Sequence, residues 1–220
     1  MNLIAIETST SCCSVAVVTG TRELQSKVSS TKGHATLLVK LLDDLLDQAK
    51  IAKNDIDCVA FGNGPGSFNG VRASASFAHG ISIVNKIPVM GISTLQALAF
   101  GGIKADTKNV LAIMDARQNE IYFAAYSVHN GTLTSVLPKE HNLAKPRDIF
   151  CPEASDWILA TCNWDIFQKD LPANIRDRYR TAVTEPSALS VAKLARLSFD
   201  KNQRRPFQDA MPVYLRHPVK

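Results

Sequence analysis

The sequence predicts an α/β protein. Two observations carry that prediction. Apolar strands alternate with helix-period segments from residue 58 onward. A short β-branched hairpin pattern opens the chain and recurs at residue 109. The chain has 220 residues, 45% of them apolar, enough core for one large domain or two small lobes.

The elements follow in order. Leu3 to Ile6 is an apolar run closed by the polar cluster Glu7-Thr8-Ser9-Thr10-Ser11, and Ser14 to Val18 follows before Gly20. Two β-branched runs around a short polar turn form a hairpin, and a third strand is expected over about Thr21–Ser29. From His34 to Ala49, Leu37, Leu38, Leu41, Leu42, Leu45 and Leu46 recur at helical spacing with charged residues between them. That pattern is an amphipathic helix with a wide apolar stripe. Cys58 to Phe61 is a buried strand running into the glycine-rich stretch Gly62 to Gly70, and a helix of small residues covers Val71 to about Val84. Pro88–Ile92 reads as a strand and Thr94–Phe100 as a helix.

Asn109-Val110-Leu111-Ala112-Ile113 echoes Asn2-Leu3-Ile4-Ala5-Ile6. In both places an acidic residue, a polar turn and a β run follow, the second over Glu120–Val128. A second lobe starting with the same hairpin and chance similarity between short strands are both open readings. Pro138, Pro146 and Pro152 then punctuate a loop-rich stretch. Trp157–Cys162 is a strand, Ser187–Phe199 a helix with Ser187 as N-cap, and Pro212–Arg216 a short extended tail.

Composition excludes several classes. The five cysteines are odd in number and show no C-x-x-C spacing, so free thiols in a reducing cytosol are expected. No two histidines lie three or four residues apart, which rules out a helical metal pair. No basic segment precedes an apolar one at the start, and no apolar run reaches the ~20 residues that span a bilayer. A cytoplasmic protein without membrane contact is expected. The net charge of +5 and pI near 9.0 permit a nucleic-acid partner without requiring one. Arg176, Arg178 and Arg180 alternate and Arg204-Arg205 adjoin, but few aromatics interleave them, so a solvated basic surface is favoured over a base-stacking platform.

The glycine-rich stretch admits two readings. Gly64, Gly66 and Ser67, preceding a helix, could cradle an anion with Glu7 and Ser9 of the opening turn. The alternative is a tight strand-to-helix turn packed against another backbone. The common nucleotide motifs are absent: no Gly-Lys-Ser/Thr follows, and Ser67 and Asn69 stand where a dinucleotide motif needs glycine. The helix beyond carries small residues four apart, Gly70, Ser74 and Ala78, with Ala75 and Val71 beside them. That face suits either close packing on its own sheet or a helix-to-helix subunit interface.

Gly62-Asn63-Gly64-Pro65-Gly66-Ser67-Phe68-Asn69-Gly70-Val71-Arg72 resembles the Gly-x-Gly-Pro-Gly-Ser-Phe-Thr-Gly-Val-Arg signature of the TsaB (YeaZ) family. Pro88 to Leu95, Asp115-Ala116-Arg117 with Glu120-Ile121-Tyr122, and Pro212-Val213-Tyr214-Leu215-Arg216 resemble that family's other blocks, in matching order. Glu7 stands where an Asp is usual, and Asn69 replaces a Thr.

The resemblance implies an actin-like, sugar-kinase-like fold of two lobes, residues 1–100 and 101–220, each a mixed sheet with a leading β-hairpin and flanking helices. The last helix is expected to pack back on the first lobe. It implies a scaffold subunit that supports the related catalytic subunit TsaD, with the ATPase TsaE, in placing threonylcarbamoyl on adenosine 37 of tRNAs reading codons that begin with A. It implies a homodimer when alone, and contact with tRNA only through the complex. Thr94 and Leu98 occupy the positions where the catalytic relative is expected to carry metal-binding histidines, so no cofactor of its own is expected, with ATP and metal on the partners. Leu37, Leu38, Leu41 and Leu45, with Gly70, Val71, Ser74, Ala75 and Ala78, are the expected partner interface. The competing readings are a phosphotransferase of the same fold using Glu7, Ser9 and the glycine loop, a glycoprotease-like hydrolase, and a tRNA-binding module acting alone.

Overall fold

Both sheets of the molecule begin with an antiparallel hairpin and continue with parallel strands. The structure is a computed structural model that describes residues 1–29, 34–152, 156–177, 179–199 and 210–216, the side chains of residues 34 and 35 excepted. Arg178, Arg204, Arg205 and His217 therefore lie outside the described residues. The chain divides into two units. The first is Met1–Ala97 with Pro186–Tyr214, and the second is Leu98–Glu185 with Leu215–Lys220.

In the first unit, β1 (Asn2–Glu7), β2 (Cys12–Thr19) and β3 (Arg22–Ser29) form an antiparallel meander. β4 (Cys58–Gly62) and β5 (Val89–Ile92) add in parallel on the other side of β1, giving the order β3-β2-β1-β4-β5. The parallel strands are joined by α2 (Phe68–Asn85), the helical crossover that such pairing requires. α1 (His34–Ala49) lies between β3 and β4.

Alternation along the strands sorts the side chains by face. Ile4, Ile6, Cys13, Val15, Val17, Val59 and Phe61 meet Leu38, Leu41, Leu42, Leu45 and Leu46 of α1 and Ala75 and Ala78 of α2 in one buried cluster. The opposite face receives α6 (Ala188–Ser198), which packs on β1 and β2. Ser187 caps that helix by accepting from the Ser190 amide at 3.2 Å. The Ala188 amide donates to Ser14 Oγ at 2.9 Å and the Leu189 amide to Gln25 Oε1 at 2.9 Å. Orphan N–H groups of the helix start are thus satisfied by the sheet beneath it.

α3 (Thr94–Gly102) leads out of the first unit. In the second, β6 (Asn109–Arg117), β7 (Glu120–His129) and β8 (Thr132–Ser135) repeat the antiparallel meander. β9 (Asn142–Ala144) pairs with β7, and β10 (Trp157–Thr161) and β11 (Arg180–Val183) run parallel to β6. The order β8-β7-β6-β10-β11 matches that of the first sheet strand for strand. The echo between Asn2–Ile6 and Asn109–Ile113 therefore falls on the central strand of each sheet. This is the expected fold class, two mixed sheets led by β-hairpins and flanked by helices. Leu111, Ile113, Phe123, Trp157 and Leu159 pack with Phe167 of α4 (Trp164–Phe167) and Ile175 of α5 (Ala173–Arg176) to form the second core.

The leucine stripe has one use that the structure fixes. Leu38 has no exposed surface, and Leu41 and Leu45 keep only 7% and 3% of theirs. Leu37 is half-buried against the same cluster. The expectation that Leu38, Leu41 and Leu45 form a partner surface is corrected: they are core, because α1 has its own sheet to cover. Leu38→Ala should therefore cost the isolated chain roughly 2–5 kcal/mol, read as a lowered Tm without any partner present.

Candidate functional site

The candidate site lies at the end of β1, where the chain's one fully buried carboxylate among the described residues meets the glycine-rich loop. Glu7 ends the strand and has no exposed surface. Its Oε1 accepts from the Ser9 amide at 2.7 Å, and its Oε2 accepts from the Thr94 hydroxyl at 3.3 Å. No cation balances it among the described residues. Burial pushes its carboxyl above the usual carboxylate value, opposed by the bonds from Ser9 and Thr94. The Cys13 thiol is pushed up to about 11, first by burial and then by Glu7, which leaves it an inert core group.

The glycine loop is filled by the protein's own chain. A side chain at Gly62 would coincide with the Glu7 carboxylate, and one at Gly70 would coincide with the Thr8 carbonyl. Gly66 lies against Ser9. Hydrogen bonds fix the same approach: the Ser67 amide donates to the Ser9 carbonyl at 2.7 Å, and Thr8 Oγ1 donates to the Gly70 carbonyl at 2.7 Å. Gly64 is bonded on both sides, its amide to Thr94 Oγ1 at 3.2 Å and its carbonyl by the Thr94 amide at 2.8 Å. The C-terminal segment completes the packing, with the Val213 amide on the Asn63 carbonyl at 2.7 Å. Glu7, Ser9, Gly64, Gly66 and Ser67 are thus brought together, but as a tight turn against another backbone.

Thr94 and Leu98 do not suit a metal. The Thr94 hydroxyl is committed to Glu7 and Gly64, and Leu98 is fully buried carbon. Among the described residues, no three of His, Cys, Asp and Glu come together as a metal set.

The helix that follows the loop has two unlike faces. Gly70, Val71, Ser74, Ala75, Ala78 and Ser82 are buried, and Ser74 Oγ donates to the Gly62 carbonyl at 3.1 Å. The expectation that Gly70, Val71, Ser74, Ala75 and Ala78 meet a partner is corrected: these small residues let α2 lie close on its own sheet. The outward face carries Ala73, Ser76 and Gly80, and then Ile83 and Val84, which are 67% and 80% exposed. A wheel drawn around the opposite side of the same helix would have found it.

In the second unit the acid near the end of the central strand, Asp115, lies one residue beyond the position that matches Glu7 and is more open. It accepts from the Arg117 amide at 2.9 Å and pairs with the Arg117 guanidinium at 3.2 Å. Arg117, Gln118 and Asn119 all take positive φ, at 63, 56 and 57°. Three such non-glycine residues in a row are costly, and nothing in the sequence marks them.

Comparisons with known proteins converge on one group. The family model described as TsaD, tRNA N6-adenosine threonylcarbamoyltransferase, matches residues 27–149. A Haemophilus influenzae protein called tRNA threonylcarbamoyladenosine biosynthesis protein TsaB is 36% identical over 125 residues, 56% of this chain and 53% of that protein. The protein of the same name from Buchnera aphidicola subsp. Schizaphis graminum is 32% identical over 172 residues, 76% of this chain and 81% of its own. The solved structure of YeaZ from Pseudomonas aeruginosa superposes with a TM-score of 0.87 at 30% identity, over 97% of this chain and 99% of that one.

Glu7 sets a pH test. Its folded-state value lies above its unfolded one, so the folded form holds the proton more tightly. Its contribution to stability is complete below the unfolded carboxylate value and is lost as pH rises toward the folded one. The stability difference between wild type and Glu7→Gln, from denaturant titrations, should shift against the wild type as pH rises above about 4.5.

Proposed function

The chain belongs to the TsaB family, and on that premise we propose that it serves threonylcarbamoyladenosine formation on tRNA as the non-catalytic partner of a TsaD-type subunit. The observation that carries this reading is the closed glycine loop. In this protein the loop packs against Thr8, Ser9 and Glu7, and on this reading that packing replaces a phosphate site. Threonine and leucine stand where metal-binding histidines are expected, and neither supplies an imidazole. On this reading ATP and metal chemistry, at adenosine 37 of the tRNA, belongs to the partner subunits, TsaE included, and the complex works in the cytoplasm. No helix among the described residues is long and apolar enough to cross a membrane.

A supporting subunit must offer a surface. The outward face of α2 supports that part of the reading. Ala73, Ser76 and Gly80 would let a second helix approach closely, and Ile83 and Val84 would supply apolar area. The same face would serve a second copy of the chain when the catalytic subunit is absent.

Gly80 gives a clean test, because a Cβ built there meets nothing within 4 Å. Gly80→Trp should leave the Tm of the isolated chain unchanged or higher, since glycine is a poor helix former. It should abolish co-elution with the TsaD-type subunit of the same organism on size exclusion. Ala75→Trp, by contrast, should unfold the first unit. Normal co-elution of the Gly80→Trp chain would refute the assignment of this face.

A further inference from the structure

Arg72 is a surface arginine held by two aromatic rings and left without a carboxylate among the described residues. Its guanidinium lies over the Phe68 ring, 3.7 Å from the centroid, and its Nε donates to the Tyr214 hydroxyl at 3.3 Å. The Phe68 and Tyr214 rings are 5.4 Å apart. Stacking holds the guanidinium plane and the Nε bond fixes its rotation, so its two terminal nitrogens point the same way each time. Among the described residues no carboxylate pairs with Arg72. The rings that hold it are not buried: Phe68 is 44% and Tyr214 45% exposed. Nothing in folding requires two aromatic rings to stay in water in order to hold a surface arginine.

We propose that Arg72, held by Phe68 and Tyr214, is a preset socket for a carboxylate on the surface of the partner subunit. This rests on the partner role argued above. Arg72 lies one turn before Ser76 on the outward face of α2, so the socket continues the proposed contact surface toward the start of that helix. The chemistry favours a protein acid over an RNA phosphate. A phosphate track needs several cations, and Arg72 is the only Lys or Arg between Ser67 and Ile83 and in the segment Ala210–Tyr214. Its exposed neighbours are instead Phe68 and Tyr214, aromatic residues that with Arg are enriched in protein interfaces. A terminal fork already fixed in orientation accepts a carboxylate end-on with both nitrogens and loses little freedom in doing so.

The test measures affinity of the full chain for the TsaD-type subunit of the same organism by calorimetry, at low and high salt. Arg72→Ala should weaken binding about tenfold or more. Arg72→Lys keeps the charge but loses the planar fork and should recover little of it. Tyr214→Phe, which removes only the hydroxyl that orients Nε, should fall between wild type and Arg72→Ala. All three should melt with the wild type, and added salt should weaken the wild-type complex more than the Arg72→Ala one. Arg72→Ala and Arg72→Lys binding as the wild type does would overturn the socket while leaving the partner role intact. An intact protein complex with tRNA affinity lowered in a gel shift would overturn it too, reassigning Arg72 to RNA. A wild-type chain that does not bind the subunit would remove the partner role and the socket together.

Discussion

The first unit depends on one close crossing, that of the Thr8–Ser9 backbone over the glycine loop. Gly62, Gly66 and Gly70 are small because Glu7, Ser9 and the Thr8 carbonyl occupy the space their side chains would need. The crossing places the start of α2 against the sheet, and Ser74 then bonds back to Gly62. It also buries Glu7 without a cation among the described residues, at a cost offset by the Ser9 amide and the Thr94 hydroxyl. Thr94 in turn ties the first turn of α3 to Gly64. A larger residue at Gly62 or Gly70 would have to displace a carboxylate or a main-chain carbonyl, neither of which has anywhere to go.

The two sheets show what a shared topology can and cannot preserve. Both place an acid near the end of their central strand, Glu7 as the last residue of one and Asp115 two residues before the end of the other, one position out of step with it. In the first unit a long glycine-rich turn follows the neighbouring parallel strand, and the acid is sealed beneath it. In the second the corresponding turn is the short Cys162–Asn163 link into α4, where Asn163 Oδ1 accepts from the Asp115 amide at 3.3 Å. Asp115 stays partly open and engages Arg117 instead. The strand order was kept and the chemistry at the strand ends was not, which fits a chain serving as scaffold in the function proposed for it.

Much of the fold was legible because hairpin and helix periods are local properties. The opening meander, the repeat at Asn109 and the Ser187 cap could all be read from residue spacing. Which way a helix faces could not. Leu38, Leu41 and Leu45 form the same apolar stripe whether they cover a sheet or a partner, and only the placement of Ile4, Val15 and Phe61 beneath them decides. The small residues of α2 posed the same ambiguity: Gly70, Ser74 and Ala78 pack inward, while the less conspicuous Ala73, Ser76 and Gly80 face out. The Arg72 socket was illegible for a different reason. Phe68 and Arg72 sit in one sequence block and Tyr214 in another, 142 residues away from Arg72, and no spacing rule joins them.

Because the glycine loop packs against its own chain, direct nucleotide binding is the sharpest test of the proposed role. Titration of the isolated full-length chain with ATP and magnesium in a calorimeter should give no saturable heat, because the glycine loop is packed against the Thr8–Ser9 backbone. Stoichiometric, saturable binding that is lost when Ser67 or Gly66 is altered would contradict the account and return the loop to the role of a phosphate site.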